Sequence, residues 1–417
     1  MNYELRCREC GKSWGNQPRS ICDDCFSPLE VFYDYDAVRS SFTREQIAQG
    51  PASMWRYSDL LPLPQDYRPT VPAGFTPLLE APRIARKLGA QHLYLKNDAV
   101  CQPSLSFKDR VVAVALAQAR NFGFDTVSCS STGNLANAVA AAAAKAGIDS
   151  VVLIPANLEP EKILASAVYG GLLVKVDGGY DEVNRLASEL AEEREDWAFV
   201  NVNVRPYYAE GSKTIGYEIA EDLGWRLPRQ IVVPVASGAQ LVKIDKAFRE
   251  FVTLGLVPDS DVTVYGAQAS GCAPVAAAYA AGHDVVQPVR PDTIAKSLAI
   301  GNPADGPYVL DVVRRTGGTV ADAPDPEIVD SIRLLAATEG IFGETAVGVT
   351  IAVLRRLLAT GKLDPAEETV IINSGDGLKT LNAVAGAAAV PEPIKPSLAA
   401  FTRLYDSAVG QALRHCA

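Results

Sequence analysis

Lys108 is the residue on which a chemical reading of this chain turns. It lies in the stretch Pro103 to Arg110 (PSLSFKDR), where a hydroxyl-bearing loop, Ser104 to Ser106, runs into an Ala-rich segment patterned as a helix from Phe107 to Asn121. A lysine in the first turn of a helix sits among unpaired N–H groups at the positive end of the macrodipole, which disfavours its ammonium form. An amine that must spend time neutral, or joined to a carbonyl as an imine, gains from that placement. Taken alone, Lys108 reads equally as a surface lysine beside a helix start; the other segments weigh against that.

Three further junctions have the same strand-turn-helix form. Ser130 to Asn134 (SSTGN) carries Ser131 and Thr132 before a glycine, a nest of donors suited to a carboxylate or phosphate, and Asn134 offers an amide to a phenolate oxygen. A well-capped helix is the plain alternative. Ala236, Ser237, Gly238, Ala239 and Gln240 follow an apolar run and open an amphipathic helix. Small residues there let backbone amides approach an anion, which predicts a phosphate cradle that is not a Walker loop. Ser374 projects from the end of the last apolar run, between Asn373 and the glycines Gly375 and Gly377. Arg205, near a helix start, and Lys296, before a tight turn, are candidate cations for a substrate phosphate; solvated or salt-bridged charges are the alternative for each.

Near the N-terminus, Cys7-x-x-Cys10 and Cys22-x-x-Cys25 have the spacing of a zinc ribbon. Four thiolates close a tetrahedral site, so the metal expected there is a structural zinc that stabilises some thirty residues too few to bury a core. A redox pair would open a helix after a strand, a pattern missing here. Arg6, Arg8, Lys12 and Arg19 hint at a nucleic-acid ribbon, but Glu9, Asp23 and Asp24 dilute that charge.

These residues need elements to hold them. Strands are predicted at His92–Lys96, Thr126–Cys129, Ser150–Ile154, Leu172–Val176, Gln230–Val235, Val262–Gly266 and Thr369–Ile372, with helices between them and at the C-terminus. Short apolar strands alternating with helices predict an α/β fold of mainly parallel sheets covered on both faces. Ligands bind such sheets at the carboxyl ends of the strands, and that is where the junctions above fall. The expected organisation is a ribbon-like leader over 1–30, an extended arm over 31–74, a large lobe from 75–122 and 200–417, and a small mobile lobe over 123–199. A chain of 417 residues has the length for this. A net charge of −10 argues against broad nucleic-acid or anionic-membrane binding. With no apolar leader and no run of 18 apolar residues, a cytoplasmic protein is expected.

Taken in order, SFKDR, STGN, RPYYAEGSKT, the ASG turn, GAQASGC, TIAKSLAIGNPADG, EGIFGETA and SGDGLK resemble the two-lobed fold-type II pyridoxal-phosphate enzymes, tryptophan synthase beta-like in fold, and within them the threonine synthases. The resemblance runs from about Phe75 to Leu381. It implies that Lys108 carries pyridoxal 5'-phosphate as a Schiff base, that Asn134 meets its 3-hydroxyl, that Ala236 to Gln240 bind its phosphate, and that Ser374 faces its ring nitrogen. A serine there is expected to leave that nitrogen largely neutral. Ser104, Ser106, Ser131, Thr132, Arg205 and Lys296 are then the expected substrate contacts. The implied reaction converts O-phospho-L-homoserine and water to L-threonine and phosphate, and a homodimer is the expected assembly. Alternatives are a cysteate synthase-like β-replacement, a serine or threonine dehydratase, and a ribbon protein with an inactive enzyme body. The cradle ASGAQ departs from the group's Gly-Asn-x-Gly-Asn, Ser374 replaces a usual threonine, and Val347 stands where a small residue is common.

Overall fold

In the computed structural model, residues 3–64, 66–131, 133–156, 160–178, 180–387 and 392–415 are described. Among the described residues, thirteen strands form three sheets. The leader holds β1 (Tyr3–Cys7), β2 (Ser13–Gly15) and β3 (Leu29–Tyr33), antiparallel with β1 in the middle. A six-stranded sheet is built from β4 (Leu78–Glu80), β5 (Leu93–Asn97), β10 (Gln230–Pro234), β11 (Thr263–Ala269), β12 (Val320–Ala323) and β13 (Thr369–Asn373). A four-stranded sheet contains β6 (Thr126–Ser130), β7 (Asp149–Pro155), β8 (Leu172–Val176) and β9 (Trp197–Phe199).

The larger sheet runs in the order β12-β11-β10-β13-β5-β4 and is parallel except for β4. The smaller runs β8-β7-β6-β9 and is parallel throughout. Their central strands are buried on both faces, as continuous runs such as Ile231 to Val233 and Val370 to Ile372 require. The Thr345–Ala359 helix packs across β10 to β13. Because β10, β13 and β5 are parallel neighbours, the loops leaving Pro234, Asn373 and Asn97 emerge at one edge of the sheet. That shared edge is what can bring distant parts of the sequence into one site.

The predicted strands and helices recur within a residue or three; the leader strands β1 to β3 were not predicted, and in the two larger sheets β4, β9 and β12 are additions. Each has three or four residues at or beside a sheet edge, too short for an alternation to register in sequence. The stretch 31–74 is extended only in part. It contains helices at Tyr35–Arg39 and Arg44–Gln49 and a 3-10 turn at Met54–Leu60, and it buries Val38, Ile47, Met54, Tyr57 and Leu60. Residues 382–417 form a second compact unit, which carries the helix Leu398–His415. Among the described residues no helix is long and apolar enough to cross a membrane.

The interior of the larger unit contains a fully buried guanidinium. Arg110 donates to Asp98 at 2.7 and 2.8 Å, to Glu218 at 2.5 and 2.7 Å, and to Thr214 and Thr76 at 2.9 Å. Lys96 adds a second cation, 2.9 Å from Glu218 and 3.2 Å from Asp222. Burial alone would raise the Glu218 pKa; Arg110 and Lys96 outweigh it and hold the carboxyl down to about 2. A group depressed in this way stabilises the fold fully above its ordinary value of 4.5, and that contribution disappears as pH falls toward about 2.

Arg110→Ala strands two buried carboxylates and is expected to cost about 3–5 kcal/mol in urea unfolding; a loss below about 1 kcal/mol would show that the pairs contribute nothing beyond exposed ion pairs. In stepped acid titration, the wild type should lose stability steeply below pH 4.5, and Glu218→Gln should flatten that slope.

Candidate active site

Phe107 ends the loop and Lys108 is the first residue of the helix Lys108–Asn121, with no side-chain cap on its N-terminus. The loop is braced from inside. The Asp109 carboxylate accepts from the Ser104 amide at 2.9 Å, the Ser104 hydroxyl at 2.6 Å and the Ser106 amide at 3.5 Å. Burial pushes the Asp109 carboxyl up to about 6, against those hydrogen bonds. Leu105 takes a left-handed conformation, φ 62°, so that this short turn closes. The neighbouring Arg110 roots the helix in the core. FKDR is thus one amine flanked by two anchors.

The Lys108 ammonium donates to the Tyr208 hydroxyl at 2.8 Å and lies over the Phe107 ring. Lys108 is half-buried, not a free surface lysine. Beside it, segments 105–107, 374–376 and 342–344 knit together. Phe107 N–H donates to the Ser374 carbonyl at 3.0 Å, Asp376 N–H to Leu105 at 3.1 Å, and Glu344 N–H to Gly375 at 3.0 Å. Gly375 and Gly377 are there for closeness: a Cβ on the first would meet the Glu344 carboxylate at 2.8 Å, and on the second the Phe342 ring at 2.5 Å.

Asn134 begins the Asn134–Ala146 helix after β6. Its amide donates to Glu344 Oε2 at 2.8 Å, its carbonyl accepts from Lys379 at 3.0 Å, and the buried Ser374 hydroxyl donates to Glu344 Oε1 at 2.8 Å. Burial lowers the Lys379 pKa, with Glu344, Asp109 and Asp376 opposing it. Lys108, Asn134 and Ser374, far apart in sequence, are therefore joined by short hydrogen-bonded steps. Glu344, Lys379 and Tyr208 lie inside motifs the sequence singled out, yet sequence reasoning gave them no role. The available signal was an acid opening a helix, and a lysine just past a double-glycine turn.

The turn Ala236 to Gln240 leaves β10. Gly238 caps the Ala239–Thr253 helix at φ 99°, where a Cβ would meet Val309 at 2.7 Å. No side chain caps this helix, and the buried Gln240 Nε2 has no partner, as has the buried Ser106 Oγ, among the described residues. Unspent donors at a helix N-terminus suit an anion. Together with a half-buried amine and an amide aimed by two partners, they fit the phosphate, aldehyde and phenolate of pyridoxal phosphate.

The remaining expected contacts are placed less uniformly. Ser131 is buried and its hydroxyl accepts from Gly133 N–H at 3.3 Å; Thr132 lies outside the described residues. Ser104 turns its hydroxyl inward onto Asp109. Arg205 is paired with Asp305 at 2.5 Å, and the Asp305 amide donates to the Ser237 carbonyl at 2.9 Å, so this arginine borders the cradle. Lys296 is exposed on a 3-10 turn that packs against the Thr345–Ala359 helix.

In the leader, the sulfurs of Cys7, Cys10, Cys22 and Cys25 all lie within 4.8 Å of one another. A tetrahedron with Zn–S bonds of about 2.3 Å has S···S edges of roughly 3.8 Å, so the cluster fits a closed tetrathiolate site. The leader is tied to the cradle. Arg8, between two of the cysteines, lies 3.2 Å from Glu30 and 3.7 Å from Asp305 and stacks over Tyr308.

A family described as pyridoxal-phosphate dependent enzyme matches residues 70–375. The chain is 34% identical to the threonine synthase of Methanocaldococcus jannaschii over 94% of its own length and 96% of that protein's. It is 36% identical to the threonine synthase of Methanosarcina acetivorans, over 90% and 92% respectively. Among solved structures, the processed form of threonine deaminase isoform 2 from Solanum lycopersicum covers 90% of this chain and 96% of its own, with TM-score 0.65 at 20% identity, a likeness of fold alone.

Replacing Cys7 and Cys10 by Ser is expected to abolish stoichiometric zinc uptake and lower the unfolding midpoint, while the Lys108 site keeps most of its activity. A fully folded, zinc-free double variant with no activity would place the leader in the catalytic path.

Proposed function

The chain belongs to the family of pyridoxal-phosphate dependent enzymes, and from that premise we propose that it converts O-phospho-L-homoserine and water to L-threonine and phosphate. The observation that carries this reading is the joining of Asn134 and Ser374 through Glu344, with Phe107 N–H bonding Ser374 directly beside Lys108, at the sheet edge where the Ala236 to Gln240 turn also emerges. Near full-length similarity to proteins named threonine synthase supports the substrate.

Pyridoxal phosphate, when bound, supplies an electrophilic aldehyde and a conjugated ring that spreads negative charge from the substrate's α-carbon. The turn Ala236 to Gln240 would hold its phosphate, Asn134 its phenolate oxygen and Ser374 its ring nitrogen. The Lys108 amine would hold the aldehyde. As general base and acid it would take the protons that leave the α- and β-carbons, and return protons to the α-carbon and to the γ-carbon that has lost phosphate. Tyr208, 2.8 Å from that nitrogen, orients it and offers a proton path.

Loss of the γ-phosphate needs positive charge nearby. Arg205 beside the cradle and Lys296 on its exposed turn are the proposed cations, with Ser106, Ser131 and Thr132 as hydroxyl contacts. Water must enter only after phosphate has left, which calls for closure of the segment 123–199, with its own four-stranded sheet, over the site. The structural role proposed for the leader is a zinc site held by Cys7, Cys10, Cys22 and Cys25.

Phosphate release should be rapid from O-phosphohomoserine and negligible from O-phosphoserine, with no ammonia formed from threonine. Turnover of O-phosphoserine would point instead to β-replacement, and ammonia from threonine to a dehydratase. Lys108→Ala should fold normally yet lose roughly 10³-fold or more in turnover; phosphate release at the normal rate from that variant contradicts the mechanism.

A further inference from the structure

The turn Ala236 to Gln240 is held between two helices. One, Ala239–Thr253, begins inside it. The other, Gly306–Arg315, has Asp305 at its N-cap, and the Asp305 amide donates to the Ser237 carbonyl at 2.9 Å. The approach is close: a Cβ on Gly238 would meet the Asp305 Cβ at 3.0 Å and its carbonyl oxygen at 3.1 Å. Backbone amides grip an anion only if they point at it together, so the spacing of these two helices bears directly on the turn.

The leader holds both helices. Lys243 and Lys246, one and two turns into Ala239–Thr253, lie 2.5 and 3.2 Å from Glu30 of β3, and Lys246 also donates to the Val31 carbonyl at 2.6 Å. On the other side, the Arg8 guanidinium lies 3.7 Å from the Asp305 carboxylate and sits over the Tyr308 ring, whose hydroxyl donates to Glu9 at 3.3 Å. Arg8 and Glu30 are paired with each other at 3.2 Å. The contacts close a ring that runs from the turn along the first helix to Glu30, then to Arg8, Asp305 and back to the turn. The Arg8, Glu30 and Asp305 side chains are only 16%, 13% and 9% exposed, so water and salt screen these pairs less than they screen a surface pair. A planar guanidinium can meet Glu30 through Nε and Asp305 through Nη1 while its face rests on a ring, which an ammonium cannot do.

We propose that the Arg8–Glu30 pair is a strut that keeps the two helices at the spacing the phosphate turn needs, which makes Arg8 and Glu30 positioning residues for the cofactor's phosphate. The leader then governs how tightly the phosphate end of the cofactor is held and leaves the aldehyde end, at Lys108, unaffected. This rests on the cofactor placement proposed above. Removing either member strands no charge, because Asp305 keeps Arg205 and Glu30 keeps Lys243 and Lys246.

The test titrates the apoprotein with pyridoxal phosphate and, separately, with pyridoxal, which lacks the phosphate, and follows the imine absorbance. The wild type should favour pyridoxal phosphate by about 100-fold or more, as charge-assisted hydrogen bonds to the phosphate require. Arg8→Ala should weaken pyridoxal phosphate binding about tenfold and leave pyridoxal binding unchanged. Glu30→Gln should do the same, and the double variant should lose no more than either single one, because both break one strut. Should one variant not fold, the other carries the measurement. An unchanged preference, or an equal loss for both ligands, overturns the proposal, since a general loosening of the protein would weaken both alike. Losses that add in the double variant show two separate effects and overturn the strut. A wild type that binds both ligands equally well sinks the cradle assignment, and one that binds neither sinks the proposed function, and this inference with it.

Discussion

One guanidinium, entirely out of water, ties together the parts of this protein that must not move relative to each other. Arg110 sits two residues after Lys108, and its four partners come from three places: Thr76 just past the arm, Asp98 after β5, and Thr214 and Glu218 on the helix Lys213–Asp222. A planar fork with five donors can serve two carboxylates and two hydroxyls at once, which an ammonium cannot do. Removing such a charge from water is costly, and a buried ion pair need not be a net gain over apolar packing. Its return here is positional: the helix that starts at Lys108, the amine proposed for catalysis, is rooted in the core.

A second ionic cluster does for the leader what Arg110 does for the lysine. Glu210 is fully buried and contacts Lys213 at 2.7 Å, Lys243 at 2.6 Å and Lys246 at 3.1 Å, and Glu30 from β3 joins Lys243 at 2.5 Å. Three ammonium groups and the carboxylates of Glu30, Glu210 and Glu250 nearly balance, and the three cations together outweigh burial to hold Glu210 far below the ordinary carboxylate range. The cysteine-bearing leader is thus bonded into the body through Glu30 and through Arg8, which approaches Asp305 beside the cradle. A structural metal in the leader would therefore steady one wall of the cofactor site as well as the leader's own small sheet.

The site itself is a meeting of strand ends. Parallel pairing of β5, β13 and β10 brings three loops to one edge, and glycines at 375 and 377 let two of the crossing segments approach closer than any side chain would permit. The three loops carry an amine, a hydroxyl and the proposed anion cradle, and the turn after β6 adds the amide of Asn134. Behind them lies a set of charges: Glu344 is hydrogen-bonded to Ser374 and Asn134, and Lys379 to Asn134, the groups proposed to touch the cofactor.

The sequence by itself determined the local vocabulary. Apolar runs of four to six residues separated by helical stretches made parallel α/β sheets the expected outcome, and hydroxyls, small residues and glycine at strand-to-helix junctions marked Lys108, Asn134, the cradle and Ser374 as candidates. CxxC spacing marked the tetrathiolate cluster. Those signals are legible because they arise from neighbours in the chain: periodicity, capping and turn chemistry act over a few residues. Tertiary structure decided the rest. Arg205 looks from sequence like a free cation and is found bound to Asp305, a hundred residues away; Ser104 looks like a ligand and is found bracing its own loop. The network of Arg110, the pairing of Glu344 with Ser374 and the grip of Lys379 on Asn134 leave no local pattern. Hydrogen bonds between residues up to 245 positions apart depend on how strands are ordered in a sheet, and no short window of sequence contains that order.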